Sequence, residues 1–142
     1  MSRRTKKIAL FIGALLGLAA LGLFAFFGCP SIWAEDFPVD PADNAHLATV
    51  AGLSAEAAAL EAIHWRVPAE ERVPRDRVSL SISGAASESP VVRICYPAQD
   101  DSIHMLFDEV TLSRQQQGWS VTRLRRCWTG RGLIGWSTDT PS

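Results

Sequence analysis

Residues 105–128 read MLFDEVTLSRQQQGWSVTRLRRCW, two alternating segments around a polar break at Gln116-Gln117-Gly118. The length of that break decides how the neighbouring chain must be arranged. A three-residue hairpin loop places glycine where the backbone turns left-handed, and Gly118 stands there. Three loop residues set Leu106 opposite Trp128, Asp108 opposite Arg126, Glu109 opposite Arg125 and Val110 opposite Leu124. Apolar then meets apolar and acid meets arginine. A four-residue loop sets Val110 against Arg123 and Glu109 against Leu124, which loses both kinds of match. The chemistry therefore predicts the three-residue loop.

Working outward, Val91 to Tyr96 is an apolar run stopped by Pro97, and Val78, Leu80 and Ile82 alternate with Ser79, Ser81 and Ser83 up to Gly84. Both read as strands, the second half-buried. Further upstream the period lengthens. From Ala42 to Ile63 the chain is alanine-rich, with Leu47, Val50, Leu53, Leu60 and Ile63 at helical intervals and a break at Gly52-Leu53-Ser54. Two helices are expected, with Ser54 capping the second and Glu56 in its first turn. Pro68 and Pro74 bracket a charged loop. The fold class is α+β: residues 42–142 form one domain, with one or two helices on one face of an antiparallel sheet of about four strands. Residues 29–41, with Pro38, Pro41 and several acids, read as a semi-extended linker.

Ahead of the linker, Ile8 to Gly28 contains no charged or strongly polar side chain. A hydrocarbon core about 30 Å thick takes roughly 20 helical residues to cross, so this run reads as a transmembrane signal-anchor helix. Arg3, Arg4, Lys6 and Lys7 precede it, and Glu35, Asp36 and Asp40 follow. That bias puts residues 1–7 in the cytoplasm and the domain outside, in the periplasm of a bacterial inner-membrane protein. Pro30 stops the helix and Trp33 falls at headgroup depth. A cleaved signal peptide ending at Ala34 would need a shorter apolar region. Acylation of Cys29 would follow the bulky Phe26 and Phe27, unlike the usual small-residue pattern. Ala9, Gly13 and Gly17 recur every fourth residue, a stripe that would let another helix approach, although glycine and alanine are also common in membrane helices generally.

Charge and chemistry bound the function. Removing the four basic residues before the anchor from the net charge of −1 leaves −5 outside, against general nucleic-acid binding. Arg123, Arg125, Arg126 and Arg131 with Trp119, Trp128 and Trp136 would make an anion-binding surface, but cross-strand pairing with Glu109 and Asp108 accounts for Arg125 and Arg126. Arg123, Arg131, Trp119 and Trp136 remain as candidate ligand-binding residues. In an oxidising compartment Cys95 and Cys127 are expected to form a disulfide, provided that strand order or a late-starting middle strand brings them together. In a simple meander they sit on next-neighbour strands about 9–10 Å apart, too far to bridge, and would be buried inert thiols.

His46, His64 and His104 are scattered without paired-ligand spacing, so no metal or other cofactor is expected. No catalytic motif is recognisable, and Thr129-Gly130-Arg131-Gly132 reads as a turn. The expected function is a non-enzymatic accessory or interaction protein of an envelope assembly. Its partners would be the membrane and another envelope protein or a second copy met through the anchor helix. The rival is a periplasmic module that senses an anionic envelope ligand.

Overall fold

The computed structural model describes residues 3–28, 30–98, 102–130 and 136–138. Helix α1 runs Arg3–Gly28. Its segment Lys6–Leu23 has a mean hydropathy of 1.8, is long and apolar enough to cross a membrane, and is not buried against the rest of the protein. Ala9, Gly13 and Gly17 lie on it, and a Cβ added at Gly13 or Gly17 would meet nothing within 4 Å.

Downstream come β1 (Glu35–Phe37), α2 (Pro41–Leu47), α3 (Ala55–His64), β2 (Ser79–Ser83), β3 (Val91–Pro97), β4 (Ile103–Gln115) and β5 (Gly118–Gly130). The α+β class holds. The strands form one antiparallel sheet in the order β1-β5-β4-β3-β2, so there are five strands where about four were expected. The additional strand lies within the segment read as a linker, which is a correction. Glu35, Asp36 and Phe37 pair with Arg126, Arg125 and Leu124 on the outer edge of β5. Three residues are too few to show a period, and their pairing partners lie about ninety residues away, so no local pattern announces them.

The hairpin carries a second correction. Gln115 pairs with Gly118, which leaves only Gln116 and Gln117 in the turn, and Gly118 takes a φ of +148°. The expected register is nevertheless present: Leu106 with Trp128, Asp108 with Arg126, Glu109 with Arg125 and Val110 with Leu124. A shift between Thr111 and Leu112 leaves Thr122 without an opposite residue, and this extra residue in β5 offsets the shorter turn. The Thr122 hydroxyl donates to the Thr111 carbonyl at 3.2 Å, which secures the irregularity.

Both helices cover one face of the sheet. Asp40 caps α2, accepting from the Ala42 amide at 2.9 Å, and Pro41 begins it where its missing N–H costs nothing. Ser54 caps α3 as expected, accepting from the Ala57 amide at 3.2 Å. The buried stripe of α3 is Ala55, Ala58, Ala59 and Ala62, at i, i+3, i+4 and i+7, while Leu60 and Ile63 sit at its margins. Small side chains leave room beneath the helix for the larger Val92, Ile94, Val110 and Leu112, which are fully buried. Asn44 ties α2 to the sheet by accepting from the Val121 amide at 2.7 Å and donating to the Val121 carbonyl at 3.0 Å. It thereby satisfies edge groups of β5 beyond the reach of the short β1.

Candidate functional site

Because successive strand residues point to opposite faces, Asp108 and Glu109 on the central strand β4 each organise one side of the sheet. Under the helices, Asp108 is 0 % exposed. Its carboxylate accepts from Arg126 Nε at 2.6 Å and from the same guanidinium's second nitrogen at 3.0 Å, and from the Tyr96 hydroxyl at 2.7 Å. Burial alone would lower the Arg126 pKa, but the hydrogen bonds and charge of Asp108 outweigh it and hold Arg126 above its ordinary value. Burial pushes Tyr96 far up, with the Asp108 charge adding to it. The ring of His64 meets that of Tyr96 edge-on at 5.0 Å, and burial lowers the His64 pKa. Arg126 also lies 4.9 Å over the Phe37 ring.

On the other face, Ser81, Arg93, Glu109, Arg125 and Asp36 stand opposite one another in a row across all five strands. Glu109, 8 % exposed, accepts from Arg93 Nε and from Arg125, each at 2.9 Å. Arg123 grips Asp36 with two nitrogens at 2.6 and 3.0 Å, and this pairing holds the Asp36 carboxyl below its usual range. The same arginines bind the chain that follows α1. Arg93 donates to the Ser31 hydroxyl at 3.2 Å and to the Ser83 hydroxyl at 2.7 Å, Arg125 donates to the Ala34 carbonyl, and the Cys127 thiol donates to the Pro30 carbonyl at 3.3 Å. Ala34, Phe107 and Cys127 form a second small core there, with Trp33, Cys95 and Trp136 packed around it.

The candidate ligand-binding residues are not brought together. Trp119 lies at the hairpin tip, packed against the helix-side core, with its indole donating to the Leu53 carbonyl at 2.9 Å and Arg114 stacked 4.9 Å over the ring. Arg123 is engaged with Asp36 on the opposite face. Trp136 packs edge-on against Phe107 at 6.1 Å, beside the Trp128–Ser137 bridge. Along β5, Arg123 and Cys127 are four residues apart, about 13 Å of extended chain. Arg131 lies outside the described residues, as does Cys29.

Cys95 and Cys127 are free thiols, which corrects the expected disulfide. Both pair with Phe107, one from each side, so a whole strand separates them. Two strand spacings, about 9–10 Å, exceed the reach of a disulfide. Burial, reinforced by the Asp108 and Cys95 charges, pushes the Cys127 thiol up to about 12. The residues that sequence reasoning missed are Arg93, the second partner of Glu109, and Ser31, Ala34 and Asp36. The acid-against-arginine match that set the hairpin register would have found Arg93 opposite Glu109. Nothing local marked the other three.

Open grooves flank the helix-covered side. One, about 490 Å³, lies between β1 and the C-terminal end of α3 and is lined by Phe37, Val39, Ile63, Leu124, Arg66 and Arg126. Another, about 560 Å³, lies beside Leu53 and Trp119 at the hairpin tip. Among the described residues no group of three or more His, Cys, Asp or Glu side chains is placed to hold a metal ion. Comparison of the chain with protein-family models, with curated proteins and with solved structures returned no match.

Proposed function

We propose that this chain is a single-pass bacterial inner-membrane protein acting as a non-enzymatic accessory or interaction partner in an envelope assembly. The observation that carries the reading is α1, apolar over Lys6–Leu23 and unburied, followed after one further residue by chain that belongs to the domain. An apolar helix that finds no cover within its own protein is accounted for by a lipid surround. The basic residues before α1 and the acids after it support a cytoplasmic N-terminus and a periplasmic domain. The Ala9, Gly13 and Gly17 stripe, open on its surface, suits a partner helix from another envelope protein or a second copy.

The test is extraction in mild detergent followed by affinity purification and crosslinking. A stoichiometric partner or a dimer is expected, and the pair Gly13→Leu and Gly17→Leu should weaken it. Recovery of the chain alone at every expression level overturns the proposal. A periplasmic module for an anionic envelope ligand is the second reading, supported by the exposure of the Arg123 side chain, 57 %, on the open face. Arg123→Glu separates the two. It abolishes anion binding if this second reading holds and leaves assembly intact if the first does.

A further inference from the structure

We infer that the open face of the sheet, where residues 30–34 cross it, rests on the outer leaflet of the same membrane that holds α1, with Ile32, Trp33 and Trp136 at the interface. This rests on the anchor reading above.

The tether between α1 and the domain is short. Helix α1 ends at Gly28, and Pro30 is already hydrogen-bonded to Cys127, on the open face towards the C-terminal end of β5. Two peptide units span at most about 7 Å, so a domain whose first attachment is Pro30 has no spacer with which to stand away from the helix end. The attachment does not stop there. Ser31, Ala34 and Asp36 are each held by an arginine of β3 or β5, and residues 35–37 continue as a strand of the sheet. An extended linker would have lifted the domain into the periplasm; the observed segment presses it against the bilayer.

The composition of that surface suits an interface. Among the described residues of the domain, only Ile32 and Phe37 are large, apolar and exposed; Phe37 faces the helix-covered side beside Leu124, whereas Ile32, at 59 %, is two residues from Pro30 on the open face. Trp33 and Trp136 are only partly buried and pack around Phe107 and Cys127 at the same end of the sheet. Indole rings settle at the level of lipid headgroups, where one edge stays wet. Arg93 and Arg123 remain partly exposed on this face, where three arginines stand against Asp36 and Glu109, an excess of one positive charge. That excess complements anionic headgroups.

The experiment uses the full chain reconstituted in vesicles of phosphatidylcholine and phosphatidylglycerol, with and without lipids brominated near the headgroup end of the acyl chains. Tryptophan quenching is read before and after an alkaline carbonate wash. The chain should stay with the vesicles, its fluorescence should be quenched, and Trp33→Phe combined with Trp136→Phe should remove about half or more of the quenched signal. Because Trp33 helps to pack the small core, Ile32→Glu provides a second variant at an exposed position. It should reduce quenching while leaving the circular dichroism unchanged. A chain that stays in the membrane but shows no quenching, or the same quenching in both variants, overturns the docking and leaves the anchor standing. A chain released by carbonate overturns the anchor reading as well.

Discussion

Asp108 and Glu109 are neighbours on one strand, each paired with an arginine of β5, yet the surroundings of the two pairs differ. Asp108 lies under helices among Val92, Ile94, Val110 and Leu112, with Tyr96 as its only other described hydrogen-bond partner. Glu109 lies in a row of alternating charges, between two arginines that also hold hydroxyl and carbonyl groups at their outer ends. A charge in an apolar layer depends on one partner for nearly all of its compensation, whereas a charge in a ladder shares it. The first arrangement makes a buried pair whose loss is felt globally. The second fastens a segment of chain to a surface.

The largest effect should come from breaking the first arrangement. Asp108→Ala leaves the Tyr96 hydroxyl stranded in the core and the largely covered Arg126 guanidinium without its carboxylate, and should cost about 3–5 kcal/mol in chemical denaturation. Glu109→Ala removes two charge-assisted hydrogen bonds at a site nearer to water and should cost less, about 1.5–3 kcal/mol. A loss for Glu109→Ala as large as that for Asp108→Ala would erase the distinction between the faces.

The pH response sharpens the comparison on the helix side. Burial lowers the His64 pKa, opposed by the Asp108 and Glu61 charges and assisted by Arg72 and Arg126, so the folded protein binds a proton there less readily than the unfolded chain. Its contribution to stability is complete above the unfolded value near 6.5 and declines as pH falls from there towards the depressed folded value. Stability measured from about pH 7.5 down to 5.5 should therefore fall, and His64→Gln should flatten that slope.

The smallest effect belongs to Asp36 and Arg123, whose side chains are mostly exposed despite their two-nitrogen contact. Asp36→Asn should leave the denaturation midpoint unchanged within error while speeding amide hydrogen exchange in β1, because that pair locks only the edge strand.

Much of this was legible beforehand where chemistry repeats locally. The serines alternating with Val78, Leu80 and Ile82, the Ser54 cap and the acid–arginine matches of the long hairpin each lie within a few residues or across one turn, and the structure agrees with them. The two-residue turn was hidden because a turn one residue shorter and one extra residue in β5 give the same register in the middle of the hairpin. Pairing chemistry at Asp108 and Glu109 does not distinguish those solutions. The candidate surface was less legible. Arg123 looked unexplained because its partner, Asp36, belongs to a strand that joins the sheet from the other end of the chain.

Amino-acid order alone determined the apolar helix, the two short helices with the Ser54 cap on the second, and the faces of the hairpin residues on the Asp108–Glu109 side of Thr122, since these follow from hydrogen bonding and side-chain period over short stretches. Only the tertiary structure decided that residues 35–37 join the sheet while residues 30–34 cross its open face, that Phe107 keeps Cys95 and Cys127 apart, and that Arg93 completes the ladder around Glu109. Each of these depends on which strands become neighbours. Neighbourhood between distant segments is settled by the burial and charge pairing of the whole fold, which no single window of sequence contains.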